Sequence, residues 1–288
     1  MLPAMAVKPT IAIIGPGRLG KALTLELKQA GYAVSEVVSR NRPESRRKAR
    51  VLAGKVGAQA STMTGALLNA DLIWLCVPDR EIAEVSRKLS VLTNWKRKIV
   101  FHSSGALPSD ELKALRMRGA AVASVHPLMT FVSGSIPSLT GVPFAVEGDA
   151  MAVRAANRIV RNLGGDAFTI RKAHKSAYHA WGAFASPLLL AALVTAEQVA
   201  RTIGLSAVEA RKRMLPIVKQ TIANYEAFGP AAAFSGPIVR GDAETVRQHL
   251  RMLNKIPQLK DVYRALAGAA LGYLPAQNRA KLKRILQR

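Results

Sequence analysis

Between Ile11 and Gly148 short apolar runs alternate with segments whose apolar residues recur at helical spacing. Ile11 to Ile14 reads as a buried strand. A glycine turn follows it, then a helix with Leu19, Ala22, Leu23 and Leu27 apolar, then Gly31 and a second strand ending at Ser39. Further strands are predicted at DLIWLCVP, KIVFHSS, AAVASVHP and VPFAVEG, with helices from about Arg80 and from Ser109 between them. Such alternation implies a doubly wound parallel sheet covered on both faces. From Lys172 onward only helical periods remain: Lys175 to Ile203, Ser206 to Ala227, Asp242 to Leu253, Leu259 to Leu274 and Ala276 to Gln287, broken by Gly-Pro pairs at 229 and 236. The fold class is therefore α/β followed by an all-helical domain, with domains expected at 1–170 and 171–288. A cleft between two close-packed domains is the expected ligand site.

With 288 residues, 49% of them hydrophobic, the chain can bury a large core. The single cysteine, Cys76, excludes an internal disulfide and a thiolate metal cluster, which fits a cytoplasmic protein without a metal. The opening MLPAMAVKPT has no apolar core of signal-peptide length and is expected to fray. Lys and Arg outnumber Asp and Glu by 42 to 18, a net charge of +24 that attracts polyanions in general. The charge is scattered and aromatic residues make up only 5%, which argues against nucleic acid as the primary partner and favours a small anionic substrate.

The stretch KSAYHAWGAFASPLLLAALVTAEQ carries no formal charge from Ser176 to Ala196. As a membrane span it is barely long enough, contains His179, Ser186 and Pro187, and has no second candidate beside it. An all-round apolar helix also suits the centre of a helical domain, so its body is expected to be core and no membrane association is expected. Lys175 and His179, at i and i+4, share a face and are expected to line the cleft.

Gly15, Gly17 and Gly20 form G-x-G-x-x-G between a buried strand and a helix. In that setting the glycines serve a tight turn, close approach of a pyrophosphate and close helix–strand packing, with the anion at the helix N-terminus. Gly15, Gly17, Arg18, Leu19 and Gly20 are thus candidate cofactor-binding residues. A carboxylate that would bind the ribose 2′-hydroxyl of NAD is missing where the second strand ends in Ser39 and Arg40. These two residues, with Arg42 and Arg46 adding positive potential, suit the 2′-phosphate of NADP. Arg47, Lys48 and Arg50 are read as a solvated helix face.

Ligands of open parallel sheets bind beyond the carboxyl ends of the strands. Val77, Pro78 and Asp79 follow one strand; His102, Ser103, Ser104 and Gly105 follow the next; His126 follows a third. The first group is assigned to the cofactor, the second to the substrate and His126 to catalysis.

The motifs GPGRLG, CVPD, HSSGAL, VHPLMTF, GVPFAVEGD, KSAYHA and FSGPIVRGD, in that order along nearly the whole chain, resemble a family of Rossmann-like NADP oxidoreductases with a helical C-terminal domain of unknown function. That family is distantly similar to ketopantoate reductase, the beta-hydroxyacid dehydrogenases, pyrroline-5-carboxylate reductase and prephenate dehydrogenase. The resemblance implies that Lys175 stands where the beta-hydroxyacid and ketopantoate enzymes place a proton-donating lysine. His179 replaces an asparagine that assists it one turn later. VHPL is similar to the His-Pro segment whose histidine meets substrate in prephenate dehydrogenase, which points to His126. Where close relatives carry Ser-Asn, this chain has Ser186 and Pro187, which implies a lost substrate contact.

The expected function is NADP-linked hydride transfer to or from a small carbonyl or imine, a 2-oxo or hydroxy acid of the ketopantoate kind, with Lys175, His179 or His126 handling the proton. Ser103 and Ser104 would anchor a substrate carboxylate, aided by Arg240; the segment around Arg240 also reads as a loop before a helix capped by Asp242. The alternatives are a dinucleotide sensor or scaffold with a basic nucleic-acid-binding surface and a deazaflavin-linked NADP reductase. The apolar helices LAGAALGYL and PLLLAALVTA lead us to expect a homodimer through the helical domain.

Overall fold

The computed structural model describes residues 8–287, so residues 1–7 of the expected frayed tail lie outside it. The chain divides into two compact units, one ending at Ala183 and the other beginning at Phe184. The sequence reading sets its boundary at 170; the compact division leaves Lys175 and His179 in the first unit.

The first unit holds eight strands: β1 (Ile11–Ile14), β2 (Val34–Ser39), β3 (Gln59–Thr62), β4 (Leu72–Leu75), β5 (Ile99–His102), β6 (Ala121–Pro127), β7 (Pro143–Gly148) and β8 (Asp166–Thr169). They form one sheet in the order β3-β2-β1-β4-β5-β6-β7-β8. Its helices are α1 (Arg18–Gln29), α2 (Pro43–Val56), α3 (Asp79–Leu89), α4 (Lys113–Arg116), α5 (Ala150–Asn162) and α6 (Lys175–Ala183). Ile11, Ile13, Leu72 and Trp74 pack into one core with Leu23 and Leu27 of α1, Leu52 of α2 and Ile159 of α5. Their neighbours Ala12, Ile14, Ile73 and Leu75 pack into a second core with Ile82 and Leu89 of α3 and Leu115 of α4. Because both faces are covered, the strands read as unbroken apolar runs rather than alternating ones.

The expectation of a uniformly parallel sheet is corrected at β7, which runs antiparallel to β6. A parallel return needs a crossover, usually helical, and residues 128–142 between the two strands form no helix. The two edge strands, β3 (QAST) and β8 (DAFT), are short, partly exposed and polar, and carry no apolar run that would announce them.

The second unit is all-helical: α7 (Leu189–Arg201), α8 (Ala207–Ala233), α9 (Ala243–Leu253), α10 (Pro257–Tyr273) and α11 (Arg279–Gln287). A capping box of Ser206 and Glu209 starts α8, and Gly229, at φ 74°, breaks it before Pro230. Val246, Leu250, Leu271 and Leu282, from α9, α10 and α11, form its core.

The expected continuous helix from Lys175 to Ile203 is interrupted by a π-helical turn, Phe184–Leu188, around Pro187. Proline lacks the amide that an α-helix needs there. The body of this segment is not core, contrary to expectation: Phe184 is 71% and Leu190 61% exposed, because α9 to α11 supply the core instead. By length and composition, Lys172–Arg201 is long and apolar enough to cross a membrane, with only 6% of its most apolar window buried.

Candidate active site

The glycine loop joins β1 to α1. Gly15 has φ 103°, and a Cβ there would lie 2.5 Å from the Cys76 carbonyl oxygen; a Cβ at Gly20 would collide with the carbonyl oxygen of Gly15. These two glycines are required by the packing of the turn. Around Gly17, by contrast, a Cβ would meet nothing within 4 Å, so the space over the start of α1 is open. The first amides of α1 lack intrahelical acceptors and its first turn has no acidic residue, a setting that fits a pyrophosphate. Arg18 reaches the Phe131 carbonyl at 3.3 Å, and Leu19 packs its side chain on the core.

At the end of β2 the side chains are already engaged. Ser39 is 2% exposed and donates to the Arg40 carbonyl at 3.2 Å. Arg40 is exposed, and its Nη2 lies 2.7 Å from both carboxylate oxygens of Glu81, in the first turn of α3. An acid therefore does stand beside this position, delivered from α3 rather than from β2.

Beyond β4, Pro78 precedes α3 and Asp79 begins it, while Val77 packs on the second core. The Asp79 carboxylate accepts the Ser104 hydroxyl at 2.7 Å, which ties the end of β4 to the loop after β5. The Ser104 carbonyl accepts both from Ser124 Oγ at 3.1 Å and from Lys175 Nζ at 2.7 Å. Lys175 Nζ also donates to Ser124 Oγ at 2.6 Å, leaving one of its three donors without an acceptor among the described residues. Lys175 is 2% exposed, and burial lowers its pKa to about 8, with the Glu147 and Asp79 carboxylates opposing the fall. One turn on, Tyr178 pairs its hydroxyl with Nδ1 of His126 at 2.7 Å. Burial and then the Lys175 charge hold His126 down to about 4, so it is neutral near pH 7.

Two family models match the chain: a Rossmann-like domain over residues 5–127, and a domain of unknown function, DUF2520, over residues 142–270. No curated protein matches it at the level of sequence. Among solved structures, a candidate NADP oxidoreductase from Bacteroides fragilis has TM-score 0.75 at 22% identity, covering 91% of this chain and 97% of its own. Protein TM1727 from Thermotoga maritima has TM-score 0.72 at 23% identity, covering 96% and 98%. A reductive aminase from Aspergillus terreus in complex with NADPH and ethyl-5-oxohexanoate has TM-score 0.59 at 18% identity, covering 98% and 93%. At these identities the likeness establishes the fold.

Lys175, Ser104, His126 and Gly105 meet in one place. A Cβ at Gly105 would stand 2.9 Å from His126 Nε2 and 2.9 Å from His179 Cδ2, so only glycine fits between the two rings. His179 is exposed, and its ring helps to lower the pKa of His126. His102 does not belong to a substrate surface: it is 0% exposed, its Nδ1 accepts the Ser104 amide and its Nε2 donates to the Pro108 carbonyl. The Ser104 hydroxyl is also spent, donating to Asp79 and accepting the amides of Ala106 and Leu107. Ser103 is the better placed of the two serines, being partly exposed and engaged, among the described residues, only by Trp74 Nε1 at 2.7 Å. Arg240 lies in the second unit, where its guanidinium holds Asp242; the Asp242 side chain makes no cap bond to α9.

The fold also holds features that the sequence reading passed over. A cavity of about 660 Å³ beside the glycine loop is lined by Arg18, Lys21, Arg47, Lys48 and Lys55, with Ser133 and Ser135 opposite. Arg47 and Lys48 were expected to be merely solvated; their spacing of seven to eight residues from Lys55, two helical turns, was the available signal. Ser124, Tyr178 and Glu147 were not singled out either. Glu147 is buried on the Ser109 amide and hydroxyl, 38 residues away, a pairing that no local pattern encodes.

Proposed function

We propose that this protein is an NADP-dependent oxidoreductase that reduces a small carbonyl or imine substrate, with Lys175 as the proton donor. The observation that carries the reading is the buried Lys175 ammonium, held by the Ser104 carbonyl and Ser124 Oγ with a third donor unspent. It occurs in the same unit as a glycine loop whose open space fits a dinucleotide. The neighbouring folds named for NADP oxidoreduction and reductive amination support the class of chemistry.

The amides at the start of α1 would hold the pyrophosphate, and Arg40, once released from Glu81, the 2′-phosphate. The bound nicotinamide supplies the hydride. Lys175, protonated below about pH 8, gives a proton to the substrate oxygen or nitrogen as negative charge develops there. The amine left behind is the form that its buried setting favours. The His126–Tyr178 pair and Ser103 present polar atoms to orient the substrate, and a 2-oxo acid is the proposed class. The preference for small anions follows from the surplus of Lys and Arg. We place the enzyme in the cytoplasm as a homodimer, the second copy covering the exposed apolar face of α7 and α8.

The test is NADPH oxidation by the purified protein against a panel of 2-oxo acids, ketopantoate included, and cyclic imines. The expected result is turnover of at least one of them that Lys175→Ala lowers by ~10²-fold, the usual worth of a positioned general acid. Binding of NADPH without turnover of any carbonyl or imine would favour a dinucleotide sensor.

A further inference from the structure

The second unit contains a cavity of about 410 Å³ between α9, α10 and α11. Each helix gives it two cations about one turn apart: Arg247 and Arg251, Lys260 and Arg264, Lys281 and Arg284. Among the described residues no carboxylate lines it. Like charges one turn apart destabilise a helix, and three such pairs facing one cavity add to that cost. Only Arg247 and Arg251 are relieved, both by Glu244; the other four have no ion-pair partner among the described residues. Arg264, a lining residue, has two buried nitrogens, Nε and Nη2, without a hydrogen-bond partner among the described residues. These form the side-on edge of a guanidinium, the edge that Arg211 uses here to hold both oxygens of Glu197. A buried donor edge of this kind is costly unless an oxoanion accepts from it.

We propose that this cavity is a binding site for a small molecule with a chain of phosphoryl groups, one of which takes the Nε–Nη2 edge of Arg264. The volume lies within the range of small-molecule pockets, roughly 300–1,000 Å³. A di- or triphosphate packs several negative charges into that space, matching four unpaired cations better than a monocarboxylate does. The site lies wholly within the second unit and does not depend on the oxidoreductase reading.

The test uses the full-length protein and inorganic tripolyphosphate, with affinity measured by calorimetry and the site located by amide hydrogen exchange. Binding should protect amides of α9, α10 and α11, and Arg264→Gln should weaken it by at least ~10-fold, the worth of one charge-assisted contact. Should Arg264→Gln fail to fold, Lys281→Ala/Arg284→Ala, on the solvent-facing helix α11, is expected to show a comparable loss with unchanged thermal unfolding. ATP binding equal to tripolyphosphate assigns recognition to the phosphate chain alone, and tighter ATP binding assigns it to a nucleotide; both support the site. Protection confined to the glycine loop, or full affinity in both variants, overturns the proposal. So does equal binding of citrate, or a short DNA duplex that protects these helices when tripolyphosphate does not.

Discussion

Lys175 Nζ donates to Ser124 Oγ at 2.6 Å, across 51 residues of sequence, and both side chains are buried. A neutral hydroxyl is thus one of the two groups among the described residues that replace water around this ammonium. Reduction by the wild-type protein should decline above about pH 8 with unit slope, as Lys175 loses its proton. In Ser124→Ala the ammonium loses an acceptor, so the alkaline limb should move to lower pH. A pH profile of kcat/KM for an identified substrate checks both. A limb that stays in place in Lys175→Ala would assign the titration to another group and remove Lys175 as the proton donor.

Cofactor preference should be controlled by the contest for Arg40. NADPH is expected to bind at least ~10-fold tighter than NADH, the worth of one charge-assisted contact, and Arg40→Ala should narrow that gap. Glu81→Gln should widen it, because the guanidinium would no longer be neutralised by the carboxylate at 2.7 Å. Fluorescence titrations of both nucleotides measure the three ratios. Equal affinities in the wild type would remove the assignment to NADP.

These two relationships mark where sequence reading ends. The glycine loop was legible because its requirement is local: a Cβ at Gly15 or Gly20 would strike backbone within a few residues or on the adjoining strand end. The strands β1, β4 and β5 were legible because burial on both faces demands continuous apolar runs. Glu81 beside Arg40, and Tyr178 beside His126, are pairings 41 and 52 residues apart, made by the sheet order and not by any spacing. His102 was misread for the same reason. Its place after a strand looks like that of a site residue, yet the turn through Pro108 folds back and occupies both ring nitrogens.

Buried His102 and half-buried His126 should make the fold acid-sensitive. His102, held down to about 3 chiefly by burial, and His126, at about 4, are both neutral when folded and take up protons near pH 6.5 when unfolded. Their folded pKa values are depressed, so the stability they confer is present above pH 6.5 and is lost as the pH falls toward 4. With both unprotonated only in the native state, stability should fall by up to about 2.7 kcal/mol per pH unit in that window. Urea unfolding between pH 7 and 4.5 measures the slope, and His102→Gln should reduce it by about half. A flat profile would show that the rings are protonated in place.

The exposed apolar face of the second unit leads to the last prediction. Leu190 on α7 and Ile217, Ile222 and Phe228 on α8 are all more than half exposed in the single chain. Exposed apolar side chains in this number suit an interaction site. A second copy is the proposed occupant because the hydrophobic cluster of α9 to α11 takes in no residue of α7 or α8. Light scattering without detergent should therefore give twice the chain mass, and Ile217→Glu, which puts a charge into the covered face, should shift the protein toward monomer. A concentration-independent monomer would contradict the dimer. Retention on vesicles, lost in Ile217→Glu, would instead assign the same face to a lipid surface.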